Sequence, residues 1–513
     1  MSVIAELRDW QKRAFNKLSG KQYGLIKAIT GAGKTVAIAK IAHHWYNNVA
    51  KPNAKIIVTV PSKGIGSNFE NIQIESEGIK FVPNPENVLT LEQDDYGSKT
   101  DNIISFLESK TNKFQDSILI CCHASYMKAV QKRPDLFVNC FVVIDEFHHS
   151  NASGEDVANE LGKCMFVICH EKSNSVLMAT ATPFRTDGQN LFPDFIRDQV
   201  EIFSYNISEY LKDCKHLKFM KFHAHCFEHV NGYAESLTEL LSKGIGNSIV
   251  FLPHIKLAQR RLEVSTVLAS ALGVPLRDAN GQINQLDDLK NPTEGDYRRI
   301  SDNEVVWEYK NQKTGRKLVI IDLDDDNTIR EKRMIWLKNN KNVDPNTDHL
   351  IITLQVFVEG GDFPALSRVI NLGIDNSLLR MIQKWGRAAR DYFGKDTAHF
   401  VQFINTHEAY GVEDADENIE EQVGDMLDLL EADPTKIIAI HKVIVAGEFY
   451  EKLSKQNPDT DFVHVTEEKQ YKLPFKSVLV KSWKPIAVAA LVGLAVGTVG
   501  QLIYNSSISQ AIK

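Results

Sequence analysis

The sequence predicts an α/β fold: two tandem domains built on parallel sheets, then a helical C-terminal region and a transmembrane helix. Three observations lead there. Short apolar runs recur with helical stretches between many of them, a Gly-rich turn joins an early apolar run to a helix, and 19 uncharged residues lie near the end. A chain of 513 residues with 43% hydrophobic and 24% charged residues has material for two or three cores of ordinary size. It is too apolar to be disordered throughout.

The apolar runs are Lys55–Val60, Ser117–Cys121, Phe141–Asp145, Ser175–Thr180, Ser248–Leu252, Leu318–Asp322, Leu350–Val356, Val369–Leu372 and His399–Ile404. They are short and rich in Val, Ile and Leu, as strands buried on both faces are. Helical stretches such as Val36–Tyr46 and Lys256–Leu272 fall between them. Such alternation specifies open parallel sheets with helices on both faces. Nine strands suit two such domains better than one. We expect the first at 1–205 and the second at 206–410, with an insertion near 278–317 where Val305–Tyr309 and Lys317–Ile321 flank a polar turn as in a hairpin. Residues 411–475 read as an acidic helical region.

The net charge of −7 looks wrong for a nucleic-acid binder, but it is local in origin. Residues 411–435 hold ten acids and no base, and without them the rest of the chain stands at +3. A basic groove elsewhere is therefore compatible with the total. The seven cysteines form no CxxC pair and are odd in number, which fits a reducing compartment. The N-terminus lacks the apolar core of a signal peptide. Cys214, His216, His223, His225, Cys226 and His229 crowd one segment, at spacings that match no zinc motif.

Ala28–Thr35 reads AITGAGKT, after the apolar Tyr23–Ile26 and before the helical Val36–Tyr46. A strand, a Gly-rich turn and Lys-Thr at a helix N-terminus suit a phosphate, because backbone N–H groups and the helix dipole face the anion. Lys34 would reach the β- and γ-phosphates and Thr35 would ligate Mg²⁺. Gly31 and Gly33 permit close backbone approach, with Thr30 and Ala32 between and beside them. Phe141–His149 reads FVVIDEFHH. Asp145, at the C-terminal end of its strand, would hold Mg²⁺ directly or through water, and Glu146 would polarise the attacking water. ATP and Mg²⁺ are the ligands this pair of motifs implies.

These motifs resemble the superfamily 2 helicases and translocases of the DExH subgroup, in order over roughly residues 7–390. The resemblance implies two RecA-like domains. Leu7–Gln11 is similar to the N-terminal glutamine motif, which implies that Gln11 reads adenine, assisted by Arg8 and Trp10. Val60–Phe69 resembles the next motif, on the nucleic-acid backbone, but departs from its usual form after Pro61. His148 completes the DEFH signature and would couple nucleotide to nucleic acid. Ala179–Arg185 matches the Ser/Thr-Ala-Thr element, with Thr180 and Thr182 as its polar members. Ser248–Pro253 resembles the first motif of the second lobe. Glu359–Pro364 resembles motif five, which implies that Gly360 and Asp362 contact nucleotide and nucleic acid, although Gln355, Val356 and Phe357 replace the usual residues before it. Gln383–Arg390 (QKWGRAAR) matches the arginine-finger motif, which makes Gln383, Arg387 and Arg390 catalytic candidates.

Arg387 and Arg390 stand at i and i+3, so one helix face could present both. An arginine from another lobe would complete the phosphate charge cage only when the lobes close. ATPFRTDG and EGGDFPALSRVI look most like a branch of DNA repair and restriction-type translocases. The expected activity is an ATP-dependent helicase or translocase acting on DNA. The alternatives are an RNA-dependent DExH helicase, or a membrane-anchored ATP switch that binds nucleic acid without unwinding it.

Ile486–Tyr504 supplies the membrane expectation. As a helix it would extend about 28 Å, close to the ~30 Å hydrocarbon core. Lys476, Lys481 and Lys484 precede it, with Trp483 at the interface, and only Lys513 follows. By the positive-inside bias the motor would face the cytoplasm.

Overall fold

The structure is a computed structural model. It describes residues 2–4, 6–90, 98–110, 113–152, 158–181, 190–227, 232–253, 257–275, 284, 286–301, 303–324, 327–354, 363–372, 378–405, 437–443 and 469–471. They fall into two compact units divided between Tyr210 and Leu211.

The first unit runs β1 (Ser2–Ile4), α1 (Asp9–Leu18), β2 (Tyr23–Ala28), α2 (Lys34–Asn48), β3 (Lys55–Val60), α3 (Lys63–Gly66), β4 (Ile72–Ile74), β5 (Ile79–Phe81), α4 (Lys99–Glu108), β6 (Ile118–Cys122), α5 (His123–Lys132), β7 (Cys140–Asp145), α6 (Glu160–His170), β8 (Ser175–Thr180) and β9 (Glu201–Tyr205), and α7 (Ile207–Asp213) crosses the division. Among the described residues its main sheet has the order β6-β3-β7-β8-β2-β9, with every pairing parallel. β3, β7 and β8 are buried at every position, as covering on both faces demands. Alternate residues serve the two faces. Ile57, Leu119, Val142, Ile144, Val176 and Met178 pack in one cluster with Ile103, Tyr126, Met165 and Ile168 of α4, α5 and α6. Trp10 of α1 stacks on Tyr205 of β9, with ring centroids 4.8 Å apart. A second, small sheet joins β1, β4 and β5.

The second unit continues with β10 (Phe219–Phe227), α8 (Gly232–Ser242), β11 (Asn247–Phe251), α9 (Leu257–Leu272), α10 (Leu286–Lys290), β12 (Tyr297–Arg299), β13 (Trp307–Asn311), β14 (Lys317–Asp322), α11 (Asn327–Asn339), β15 (Thr347–Thr353), β16 (Arg368–Asn371), α12 (Leu378–Ala388), β17 (Thr397–Asn405), β18 (Ile437–Val443) and β19 (Lys469–Tyr471). Its described strands form one sheet in the order β12-β13-β14-β15-β11-β16-β17-β10-β18-β19. The middle, from β14 to β18, is parallel; the antiparallel β12–β13–β14 and β18–β19 pairs extend its two edges. Val250, Ile320, Ile352, Ile370 and Val401 pack against Leu237, Leu241, Val264 and Leu268 of α8 and α9.

All nine apolar runs are strands, with ends within three residues of those expected. The region 411–475 departs from its helical expectation. Its described residues are the strands β18 and β19. Ile437–Val443 (IIAIHKV) is rich in β-branched residues, which favour a pleated surface, and lies parallel in register along β10. No helix among the described residues is long and apolar enough to cross a membrane. Ile486–Tyr504 and the acidic 411–435 lie outside the described residues.

Candidate active site

β8 lies between β7 and β2, and the register pairs Asp145 with Ala179 and Thr180 with Lys27. The C-terminal ends of three parallel strands therefore meet on one edge, where open α/β sheets bind ligands. The phosphate loop leaves from β2. Gly31 and Gly33 are left-handed, at φ 87° and 96°, which glycine adopts without steric cost. Lys34 opens α2 with its side chain buried, and its Nζ donates to the carbonyl of Ala28 at 3.0 Å, across the loop. Thr35 follows, half-buried, while Thr30 and Ala32 are buried.

The loop is held from α1. Gln11 Nε2 donates to the Gly33 carbonyl at 3.0 Å, and its Oε1 accepts from the backbone N–H of Arg8 at 2.8 Å. The Arg8 guanidinium donates to the Ala32 carbonyl at 3.1 Å. Gln11 and Arg8 thus meet the phosphate loop itself.

Asp145 is buried at the end of β7. Burial raises its pKa to about 7, the Glu146 charge adds to the rise, and Lys34 opposes it. Its Oδ1 is buried with no hydrogen-bond partner among the described residues. A buried carboxylate oxygen in that condition beside a lysine and a phosphate loop fits a hard divalent cation, which takes oxygen ligands. Glu146 is left-handed, at φ 49°, an uncommon backbone for a non-glycine residue and one that clusters at functional sites. Its Oε2 is 3.3 Å from Nδ1 of His148. That same nitrogen is 3.0 Å from Oγ1 of Thr180, and both side chains are buried.

Sequence reasoning passed over His123. It opens α5 directly after β6, so it reaches the same sheet edge, and it is buried with its ring centroid 6.4 Å from that of His149. Burial lowers its pKa to about 4, with His149 adding to the fall; the Thr59 and Asp145 backbones and the Glu146 charge oppose it. The signal available in the sequence was its position immediately after an apolar run.

In the second unit, α12 carries Gln383 and Arg387, both buried. Lys384, between them, donates to Asn371 Oδ1 at 2.8 Å, and Asn371 donates to Gln402 at 2.7 Å, which fixes the helix on β16 and β17. The helix ends at Ala388, so Arg390 lies beyond it, half-buried, and the expected single helix face for both arginines is not formed. The reason is local. Lys395 Nζ takes the Ala388 carbonyl at 3.0 Å, and the chain turns through Gly394 at φ 78°. Thr182, Gly360 and Asp362 lie outside the described residues.

Residues 4–185 match the family model described as Type III restriction enzyme, res subunit. Over 404 residues the chain is 30% identical to the "Putative ATP-dependent helicase YeeB" of Bacillus subtilis (strain 168), an alignment covering 78% of this chain and 61% of that one. The chain thus spans about three fifths of that curated relative's length. Among solved structures it is similar to the ATP-dependent Type ISP restriction-modification enzyme LlaBIII bound to DNA, with a TM-score of 0.53 and 17% identity, over 86% of this chain and 32% of that chain. At that identity the likeness concerns the fold.

Proposed function

We propose that this chain is a relative of the superfamily 2 helicases and works as an ATP-hydrolysing motor that moves on nucleic acid, DNA in the first place. The observation that carries the reading is the single sheet edge at which Lys34, Asp145, Glu146, His148 and Thr180 gather, with Asp145 Oδ1 buried and lacking a donor among the described residues.

The chemistry follows from these side chains. Lys34 would exchange the Ala28 carbonyl for the β- and γ-phosphate oxygens. Thr35 and Asp145 would hold Mg²⁺, which when bound supplies positive charge to the phosphates. Glu146 would orient and polarise the attacking water. Gln11 would read adenine while steadying the loop through Gly33. Arg387 and Arg390 would stabilise charge on the transferring phosphoryl group, assisted by Gln383, with Gly360 and Asp362 contributing from motif five. His148, Thr180 and Thr182 would pass the state of the nucleotide to the nucleic-acid face.

DNA is favoured by two names among the similar proteins, a restriction enzyme subunit and a restriction-modification enzyme bound to DNA. The readings it competes with are an RNA-dependent DExH helicase and an ATP switch that binds without unwinding. ATPase rates measured in parallel with single-stranded DNA, duplex DNA, forked DNA and RNA discriminate among them, with Glu146→Gln as the inactive control that still binds ATP. DNA should stimulate most. Stimulation by RNA alone, or equal rates with and without nucleic acid, overturns the reading.

Membrane anchoring through Ile486–Tyr504 belongs to the same proposal and rests on sequence alone. Removing 476–513 should leave the ATPase intact and move the protein from the membrane to the supernatant fraction. A full-length chain recovered wholly without detergent refutes the anchor.

A further inference from the structure

The segment that follows Arg390 is tied down at three places. Asp391 accepts three backbone N–H bonds from the entry of the second unit: Lys215 at 2.9 Å on Oδ2, and His216 at 2.8 Å and Leu217 at 3.0 Å on Oδ1. Burial alone would raise the Asp391 pKa, but these three donors and His216 outweigh it and hold the carboxyl below its usual range. Tyr392 Oη accepts from the backbone N–H of Val343 at 3.1 Å. Lys395, buried, donates to the carbonyls of Pro364 at 3.0 Å, Leu366 at 2.9 Å and Ala388 at 3.0 Å.

The lysine is the informative member. Burying an ammonium is expensive unless its donors are used. Here all three N–H bonds go to carbonyls. Two of those carbonyls lie just downstream of Asp362 and the third ends the helix that carries Gln383 and Arg387. One side chain therefore joins the tail of motif five to the end of the arginine helix. The Arg390 charge is close enough to help burial push the Lys395 pKa down, to about 7, against the opposing charges of Asp391 and Cys214. Nothing in the reaction outlined above uses Lys395 or Asp391.

We propose that Lys395 and Asp391 are positioning residues for Arg390: together they brace the end of α12 against the segment Pro364–Leu366 and the entry segment Lys215–Leu217, and so fix where the arginine stands when it meets the phosphates. The inference rests on the proposed ATPase reading. Its physical basis is that a displacement of about 1 Å at a catalytic group can cost about 100-fold in rate.

The test is a cycle on the full chain. Lys395→Met keeps the length of the stem and removes the donors; Asp391→Asn changes a half-exposed carboxylate and is the milder lesion. Each is assayed for kcat and KM of nucleic-acid-stimulated ATPase, alone and combined with Arg390→Ala, with hydrogen–deuterium exchange followed over residues 386–395. The expected result is a fall in kcat of about 100-fold for Lys395→Met and about tenfold for Asp391→Asn, with KM for ATP nearly unchanged. Neither should add to the loss caused by Arg390→Ala, and exchange over 386–395 should rise. A purely structural role predicts otherwise: a lower melting temperature and losses that multiply with that of Arg390→Ala. Either that multiplication or a kcat within twofold of wild type in folded Lys395→Met overturns the proposal. If Lys395→Met does not fold, Asp391→Asn carries the same two criteria. An Arg390→Ala variant with normal turnover instead refutes the catalytic role of Arg390 beneath the proposal, and a wild-type chain with no nucleic-acid-stimulated turnover refutes the ATPase reading itself.

Discussion

The imidazole Nδ1 of His148 lies 3.0 Å from the hydroxyl of Thr180 and 3.3 Å from the carboxylate of Glu146. One buried ring thus touches the residue proposed to activate water and the strand-end residue proposed to answer to nucleic acid. A group shared in this way transmits a change at one partner to the other, because burial leaves no water to replace a lost hydrogen bond. We expect His148→Ala and Thr180→Ala each to lower nucleic-acid-stimulated ATPase about tenfold, by about 1.4 kcal/mol, while ATP affinity holds. The double variant should be no worse than the more damaged single one, a coupling of about 0.5–3 kcal/mol. Stimulation ratios measured for the three variants decide it; independent losses refute the link.

Gly33 makes the phosphate loop sensitive to a single methyl group. At φ 96° an alanine would cost about 1–2 kcal/mol in backbone strain. Its β-carbon would also stand 3.1 Å from Gln11 Nε2, the atom that donates to Gly33's own carbonyl. Gly33→Ala should therefore weaken nucleotide binding about tenfold or more, and its strain should lower the melting temperature by only about 2–8 °C, leaving the chain folded. Titration with a fluorescent ATP analogue checks this. Unchanged affinity would mean that nucleotide does not engage the loop in this conformation.

The strands and the phosphate loop were legible because their signals are local. An apolar run such as Ser175–Thr180 must be buried on both faces wherever it goes, and Gly-Lys-Thr before a helix has few other uses. β9 and β10 were missed as strands because Glu201–Tyr205 and Phe219–Phe227 mix polar and aromatic residues, and pairing across the sheet decides them. The acidic start of 411–475 drew the helical expectation over Ile437–Val443, whose own residues favour a strand. In the candidate site, Asp145, Glu146 and His148 came from the motif. The tie from Gln11 to Gly33 and the burial of His123 depend on contacts between residues far apart in sequence, as do the bonds from Lys395 to Pro364 and Leu366.

The two arginines should fail differently. Arg387 is buried within α12, so its removal should lower both turnover and melting temperature. Arg390 is half-buried beyond the helix, and Arg390→Ala should keep stability and much of the ATP affinity while turnover falls about 10³–10⁵-fold, the range known for arginine fingers. Single-turnover hydrolysis and thermal melts on both variants separate the cases. Normal turnover in Arg390→Ala would refute its assigned role.

Acid should destabilise the second unit more steeply than the first. Burial is the largest cause lowering the pKa of His123, His349 and His399, each from 6.5 to about 4. His349 is held with its Nδ1 2.9 Å from Asn247 Oδ1, and His399 with its Nδ1 2.9 Å from His223 Nε2. Between about pH 4 and 6.5 the unfolded chain binds a proton at each position that the folded chain does not. Stability therefore rises with pH across that window: the contribution is complete above about 6.5 and is lost as pH falls toward 4. Each group adds at most about 1.4 kcal/mol per pH unit. The second unit contains His349 and His399; the first contains His123 and His43, also lowered by burial, but there the raised pKa of Asp145 acts in the opposite sense, so the steeper loss belongs to the second. Urea melts of the full chain at pH 7.5 and 5, followed by exchange in peptides from each unit, should resolve the difference. His349→Gln should remove about one proton's share of the slope from the second unit, about 1.4 kcal/mol per pH unit at most. If that variant loses as much stability between the two pH values as wild type does, the buried imidazole is not what makes the unit acid-sensitive.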